Sequence, residues 1–317
     1  MSIVLAHGGV NCEDSELVRR ALFKAVLAGS GGARVSCLSG VEEAIKVLED
    51  DPMFNAGYGS VLNRLGEVEM DAAIMDGTGN RLGIVAGIAG VEHPISVARR
   101  LLEKGDAVFL AGTGALRFAR ESGFAPPSRD LRSPEQREVW EAIRANEGRY
   151  PPGVDPFTGF TMCRPGPSRP GKFPCDTVGC IVMDDQYRIA CGTSTGGYAY
   201  KPPGRIGDSA VPGAGFWAGT WGAVVCSGKG EAFMELLLAR RVEEWLKDGL
   251  SPQQAAEKAI EVLQAEKGVI GGVLVLHRDG RWGKASNAMT FPAAVARDGK
   301  VDFLSKVDKG WPPEASR

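Results

Sequence analysis

Apolar residues recur with two different periods along this chain, and these periods predict both strands and helices in its first half. Runs that are apolar or alternate with polar residues predict strands over 2–6, 68–75, 81–90 and 107–110. Helical spacing predicts helices over 17–26, 41–48, 93–104, 114–120 and 134–145. Ser39 is the candidate N-terminal cap of the second helix.

The second half repeats this order of strands followed by helices. Strands are predicted over 177–184, 187–193, 221–227, 273–277 and 282–288, the last two joined by Asp279 and Gly280 in a hairpin. One long helix is predicted over 231–247, and another begins at Ser251, where Gln254 completes a capping box. Strands followed by helices favour a layered α+β fold over alternating strand–helix–strand units.

Composition narrows the class of protein. The chain has 317 residues, 44% of them apolar and a net charge of −2. A charge this close to zero does not indicate binding to nucleic acid or to an anionic membrane surface. We expect a soluble protein, because no apolar run reaches the length of a membrane span and the N-terminus lacks the features of a signal peptide. Seven cysteines without a CxxC pair indicate reduced thiols and a cytoplasmic location.

A segment rich in proline and glycine divides the two halves. Seven prolines and five glycines fall within residues 147–175. Composition alone favours a flexible linker between two domains, but a structureless connection of this length inside one domain is usually functional. The two flanking halves resemble pieces of one pattern, which favours the second interpretation.

Thr177 follows this segment and opens a predicted core strand. Most threonines in such a place are ordinary β-branched strand residues. The three histidines of the chain lie in no spacing typical of a triad or a metal site. A hydroxyl nucleophile without histidine needs another base, and the free amine of an N-terminal threonine is one solution. We therefore hypothesise that the bond between Asp176 and Thr177 is cut and that Thr177 then acts as nucleophile.

Several motifs, in order along the chain, resemble the isoaspartyl peptidase/plant-type L-asparaginase family of N-terminal nucleophile hydrolases. They are His7–Gly8–Gly9, Phe54–Asn55–Ala56–Gly57, Met70–Asp71–Ala72, Met75–Asp76–Gly77, Asp176–Thr177–Val178–Gly179, Thr193–Ser194–Thr195–Gly196–Gly197, Gly204–Arg205–Ile206–Gly207–Asp208–Ser209 and Gly228–Lys229–Gly230–Glu231.

The resemblance implies one four-layer αββα domain over 1–317. It also implies self-cleavage into an α chain, 1–176, with 147–175 as a flexible linker, and a β chain, 177–317. The implied activity is hydrolysis of the side-chain amide of L-asparagine and of β-aspartyl peptides through an acyl-enzyme on Thr177. The implied substrate is thus a small molecule or a short peptide.

The resemblance also assigns roles to site residues. Arg205 would hold the substrate's α-carboxylate by a forked pair of hydrogen bonds, and Asp208 would hold its α-ammonium. Thr195 would position the nucleophile. The remaining assignments are the Gly228 N–H and the Ser227 hydroxyl as oxyanion donors, Gly230 in the substrate site, and Asn55 near the Thr177 amine.

Two departures from the family pattern keep the substrate open. Ser227 stands where the family usually has threonine, and a serine rotamer is less restricted. Asp176 replaces the glycine of isoaspartyl peptidases, and Asp–Thr occurs in the related glycosylasparaginases and taspases. Asp208 argues against a taspase-like protease. The alternatives are hydrolysis of glycosylated asparagine, and a non-processing relative that only binds amino acids or partners.

The resemblance further implies a homodimer of αβ units. It implies no catalytic metal or organic cofactor. A structural Na⁺ held by backbone carbonyls of the 48–58 loop is the one ion expected. Backbone ligands leave no side-chain pattern, so this expectation rests on the resemblance alone.

Overall fold

The computed structural model describes residues 2–12, 14–150 and 176–304. Its strands are β1 Ile3–His7, β2 Met70–Asp76, β3 Arg81–Ile88, β4 Phe109–Ala111, β5 Val178–Met183, β6 Ile189–Thr195, β7 Phe216–Ala218, β8 Gly222–Gly228, β9 Gly271–His277, β10 Trp282–Ser286, β11 Ala293–Arg297 and β12 Lys300–Phe303. Its helices are α1 Glu16–Ala33, α2 Cys37–Glu49, α3 Pro94–Lys104, α4 Gly112–Glu121, α5 Pro134–Ala145, α6 Gly230–Leu236, α7 Leu238–Lys247 and α8 Pro252–Lys267.

The strands form two sheets. The larger has eight strands in the order β12-β11-β1-β5-β6-β2-β3-β4, and the smaller has four in the order β10-β9-β8-β7. Neighbouring strands are antiparallel except for β3 and β4. The larger sheet therefore combines strands from both halves of the chain. Strand β1, from before residue 151, lies between β11 and β5, which both follow residue 175.

Three apolar clusters hold these elements together. One joins the helices α1 to α4 to the larger sheet, with Leu22, Ile45 and Ile74 among its members. A second contains residues of both sheets, including Ile181 and Val225. A third joins α6, α7 and α8 to the smaller sheet. The structure is a mixed arrangement of helices and sheets, as the α+β prediction requires.

Strand β5 has apolar contacts on both faces. Val178, Cys180 and Val182 belong to the cluster with the first helices, whereas Ile181 and Met183 belong to the cluster shared by the sheets. Side chains alternate between the two faces of a strand. Burial on both faces explains why this strand is apolar throughout rather than alternating.

Some predicted boundaries are wrong. Ser36, not Ser39, caps α2, because its hydroxyl accepts a hydrogen bond from the Ser39 N–H. The single helix predicted over 231–247 is two helices, since Leu237 has φ 47° and interrupts the hydrogen-bonded ladder. The strand predicted over 187–193 begins two residues later, after a turn with Tyr187 at φ 59°. Short strands β7, β11 and β12 were not predicted.

Among the described residues, four cysteines are buried free thiols, namely Cys37, Cys180, Cys191 and Cys226. Cys12 departs from the reduced state expected from the sequence, because it is disulfide-bonded. The lack of a CxxC pair does not exclude a disulfide, because pairing depends on Cα separation in the fold and not on spacing along the chain.

Most of the predicted linker, residues 151–175, lies outside the described residues. At its described beginning, the Tyr150 hydroxyl donates to the Ala199 carbonyl at 2.6 Å. Within the described ranges, no helix combines the length and apolar character needed to span a membrane.

Candidate active site

Two neighbouring strands bring together the hydroxyls of Thr177 and Thr195. Thr177 immediately precedes β5, and Thr195 is the last residue of β6, which pairs with β5 in antiparallel register. Both threonines are buried. The Thr177 Oγ1 donates to the Thr195 Oγ1 at 3.0 Å, and the Gly197 N–H donates to the same Thr195 oxygen at 3.0 Å. The predicted role of Thr195 in positioning Thr177 has this hydrogen bond as its geometric basis.

The smaller sheet supplies Ser227, near the end of β8. Its hydroxyl accepts a hydrogen bond from the Val10 N–H at 3.0 Å and donates to Asp176 Oδ2 at 2.9 Å. The other carboxylate oxygen of Asp176 lies 3.5 Å from Thr177 Oγ1. Asp176 therefore lies between two hydroxyls that the sequence assigns to the reaction.

The two charged residues expected to bind substrate lie on the loop that follows β6. The Arg205 guanidinium lies over the Tyr198 ring, with Cζ 4.8 Å from its centroid. Asp208 is buried and begins a short 3₁₀ turn. Asp71 of β2 fixes Gly207, one of the two residues between them, because its Oδ2 accepts a hydrogen bond from the Gly207 N–H at 2.8 Å.

Asp208 resists ionisation in these surroundings. Burial raises its pKa to about 7, the Asp176 carboxylate adds to the rise, and Arg205 opposes it. Within the described ranges, its Oδ2 has no hydrogen-bond partner. A buried carboxylate oxygen without a donor is unfavourable, and an ammonium group of a ligand would relieve that cost.

Glycine is required at two positions around these charges. A side chain at Gly230 would place its Cβ 2.7 Å from Asp208 Oδ1 and 2.9 Å from Arg205 Nη2. At Gly228, which has φ +143°, a Cβ would lie 2.6 Å from the Ile270 carbonyl oxygen. The absence of a side chain lets the backbone approach the charged pair closely at Gly230, and at Gly228 it makes room for the Ile270 carbonyl.

Asn55 contacts the site indirectly. Its Nδ2 donates to the Gly197 carbonyl at 2.6 Å, and its Oδ1 accepts from the Val61 N–H at 3.0 Å. The Gly196 N–H donates to the Asn55 carbonyl. Asn55 thus holds the turn after Thr195, whose Gly197 N–H reaches the Thr195 hydroxyl.

A small cavity of about 10 Å³ lies at the centre of the site, room for about one water molecule. Six of the predicted site residues line it: Asp176, Thr177, Thr195, Arg205, Asp208 and Gly228. The lining does not include the other predicted site residues, Ser227, Gly230 and Asn55. A larger cavity of about 560 Å³ is bounded by loops around Gly90 and Asp130 and includes none of the predicted residues.

His7 is neutral beside β5, the strand that follows Thr177. It is fully buried opposite Gly179 of β5, and burial together with Lys284 lowers its pKa to about 3. A Cβ at Gly179 would lie 2.4 Å from the His7 Nε2, so the glycine makes room for the ring. A neutral, enclosed imidazole agrees with a site that does not use histidine as its base.

Sequence reasoning missed a buried lysine, Lys201, in the loop that follows β6. Lys201 is fully buried, its Nζ donates to the Glu69 carbonyl at 2.8 Å, and burial lowers its pKa. Asp71 offered a signal, since an acidic residue inside an apolar strand must have a buried partner. Lys201 and Tyr198 offered none, because both lie in an irregular loop.

Comparison with known proteins agrees with this geometry. The model of the family described as Asparaginase matches residues 6–304. The chain belongs to this asparaginase family. One relative is a plant-type L-asparaginase from Pyrococcus abyssi, which is 38% identical to this chain over 309 residues. The matched residues cover 94% of this chain and 97% of that protein.

Vertebrate members of the asparaginase family are similar over almost the same length. An isoaspartyl peptidase/L-asparaginase from Xenopus laevis is 36% identical over 308 residues, 93% of each chain. One from Bos taurus is 34% identical over 310 residues, 94% of each chain. The family resemblance expected from the sequence motifs is confirmed.

Proposed function

We propose that this protein is an amidohydrolase that cleaves the side-chain amide of L-asparagine and of β-aspartyl peptides after cutting its own chain before Thr177. One observation carries the proposal: the hydroxyl of Thr177, which opens a rigid core strand, lies 3.0 Å from the hydroxyl of Thr195. Relatives named L-asparaginase and isoaspartyl peptidase/L-asparaginase support the reaction class.

Self-cleavage would begin with attack of the Thr177 hydroxyl oxygen on the carbonyl carbon of Asp176. The new C–O bond forms as the C–N bond breaks, the nitrogen takes a proton, and an ester results. Water then hydrolyses the ester, which leaves a carboxylate on Asp176 and a free amine on Thr177. Asp176 and Thr177 are both buried, and the Ser227 hydroxyl donates to Asp176 Oδ2 at 2.9 Å, so a hydroxyl donor lies beside the bond to be cut.

In the mature site, the Thr177 amine would take the proton of its own hydroxyl as the oxygen attacks the substrate amide. An α-amine has a pKa of about 7.7–8.0, which suits a base at neutral pH. The Ser227 hydroxyl and the Gly228 N–H would stabilise the oxyanion. Ammonia or an amine leaves, and water releases the acyl group from Thr177.

The finer architecture is part of the same proposal. We infer that residues 1–317 form one αββα domain, because the three apolar clusters join helices to sheet, sheet to sheet, and sheet to helices. Cleavage would yield an α chain, 1–176, and a β chain, 177–317. A homodimer of αβ units and a cytoplasmic location stay predictions from the sequence.

The structural Na⁺ expected from the sequence would use backbone carbonyls of the 48–58 loop. The carbonyl oxygens of Glu49, Pro52 and Phe54 lie against Gly57 and Gly59, where a Cβ would lie 2.3, 2.9 and 2.0 Å from them. Carbonyl oxygens suit hard cations. We propose that these carbonyls hold Na⁺, which would stabilise the loop that carries Asn55. Exchange of Na⁺ for choline should then lower the melting temperature; an unchanged value would contradict the site.

Asp176 favours a second candidate, a glycosylasparaginase-type activity, because relatives with that activity have Asp–Thr at the scissile bond. The two candidates differ in the leaving group and not in the nucleophile. Rates with L-asparagine, a β-aspartyl dipeptide and glycosylated asparagine, measured on one preparation of cleaved protein, would rank them.

A denaturing gel and an amidase assay test the proposal together. Purified protein should give two fragments that begin at Met1 and Thr177, and it should release ammonia from L-asparagine. Thr177→Ala should abolish both cleavage and turnover. An intact 33.6 kDa chain without amidase activity would point to the non-processing, binding alternative.

A further inference from the structure

Arg205 forms an ion pair with Glu231, a residue to which no role has been assigned. The Glu231 Oε1 accepts hydrogen bonds from Arg205 Nε at 3.1 Å and from Nη2 at 2.9 Å. Glu231 lies in the first turn of α6 with its side chain 42% exposed, whereas the Arg205 side chain is only 13% exposed. The ion pair thus has one partner facing solvent and the other facing the site.

The remaining nitrogen of Arg205 faces the cavity. A Cβ at Gly207 would lie 2.9 Å from Nη1, and one at Gly197 would lie 3.3 Å from it. Both glycines line the cavity that also contains Thr177. The Nε side of the guanidinium is therefore occupied by Glu231, while Nη1 points to where a substrate would bind.

The ion pair with Glu231 limits the directions from which Arg205 can bind a carboxylate. A guanidinium offers its donors in a fixed planar fork, so fixing one edge fixes the direction of the others. Tyr198 supports the same plane from its face. With Glu231 and Tyr198 in place, Arg205 loses little rotational freedom when a substrate binds, which favours binding.

We propose that Glu231 is a positioning residue that orients Arg205 for the α-carboxylate of the substrate. This inference rests on the proposed function, because it takes the substrate to be an amino acid whose carboxylate meets Arg205. It makes Glu231 a determinant of specificity for substrates that carry that carboxylate, without contact between Glu231 and the reacting atoms.

Two substrates that differ only in the carboxylate test the role. Glu231→Gln and Glu231→Ala should each raise KM for L-asparagine by about tenfold or more, the effect of losing one charge-assisted hydrogen bond, with kcat within about twofold. For 3-aminopropanamide, which lacks the α-carboxylate, KM should stay at the wild-type value. Equal rises for both substrates, or no rise for L-asparagine, would overturn the proposal.

Glu235→Gln is the matched control. Glu235 lies one turn further along α6 and is paired with Lys267 instead of Arg205. Its replacement should change KM for neither substrate. Glu231→Gln preserves the shape of the side chain, so a melting temperature close to that of wild type would show that its KM reflects Arg205 and not unfolding.

A binding measurement separates this inference from the proposed function. If cleaved wild-type protein hydrolysed no asparagine, the proposed function would fail. Calorimetric titration with L-aspartate would still test Glu231, with affinity expected to fall about tenfold in Glu231→Ala. Equal affinity of wild type and variant would reject the positioning role, whatever the outcome of the activity assay.

Discussion

Asp208 must be ionised to bind an ammonium group, yet burial opposes its ionisation. Its pKa is raised to about 7, so the carboxyl is largely neutral below that pH and largely charged above it. Affinity for an α-ammonium should therefore fall as the pH is lowered through the pKa of Asp208. In the cleaved protein Asp176 would be a chain end, and displacement of its side chain from the site would lower the pKa of Asp208.

The pH dependence of kcat/KM tests this assignment. For L-asparagine, two groups must lose protons at low pH, Asp208 and the Thr177 amine, so the logarithm of kcat/KM should rise with a slope approaching about two. Succinamate lacks the α-ammonium and should give a slope of about one. Asp208→Asn should reduce the asparagine slope to that value. Identical slopes for both substrates in the wild-type protein would contradict a role for Asp208.

The sequence motifs predict residues that the fold brings together, while the roles of these residues stay predictions. The expected residues Thr177, Thr195, Arg205 and Asp208 do line one cavity. The bonds that orient them were not predictable, since they join segments far apart in the chain. Glu231 and Arg205 are 26 positions apart, and Asp71 and Gly207 are 136 apart. Only the folded chain shows which of many charged residues meet.

Leu237 separates α6 from α7, and the hydrophobic periodicity of the sequence does not predict this break. Apolar residues continue at helical spacing across it, which is why one helix was predicted where there are two. Its φ of 47° is a conformation that costs an ordinary residue about 1–2 kcal/mol. Its side chain is half exposed, so packing on leucine itself does not explain the choice. Strand β5 was predicted well because burial on both faces leaves a continuous apolar run.

Glycine and alanine at position 237 should reverse their usual order of stability. We expect Leu237→Gly to be more stable than Leu237→Ala by about 1 kcal/mol, because only glycine adopts this conformation freely. At Glu261, an exposed position inside α8, the order should be the opposite, with alanine more stable by about 1 kcal/mol. Thermal unfolding in a Thr177→Ala background would keep the chain intact. A more stable alanine at 237 would contradict the observed break.

For the whole molecule, the proposed cut would divide strands that alternate within one sheet. Strand β1 would belong to the α chain, yet it pairs with β5 on one side and β11 on the other, both of the β chain. Strand β2 of the α chain pairs likewise with β6 of the β chain. Separation of the chains would break three ladders and expose their buried residues.

The two fragments should therefore remain together without a peptide bond. Cleaved protein should elute as one species from gel filtration and separate only in denaturant. When isotopically labelled and unlabelled cleaved samples are mixed, native mass spectrometry should find no hybrid molecules until the mixture is unfolded and refolded. Hybrids that form under native conditions would indicate that the shared ladders are weaker than the register suggests.

The burial of Asp176 and Thr177 also determines how maturation depends on concentration. With 3% and 5% of their surfaces exposed, neither the bond nor its nucleophile is within reach of a second copy. Each molecule would then cut only itself, by a first-order process. Dilution would leave the half-time unchanged, and addition of mature enzyme to a fresh precursor would not shorten it. The cleaved fraction in a sample would record the time since folding, independent of how much protein was made.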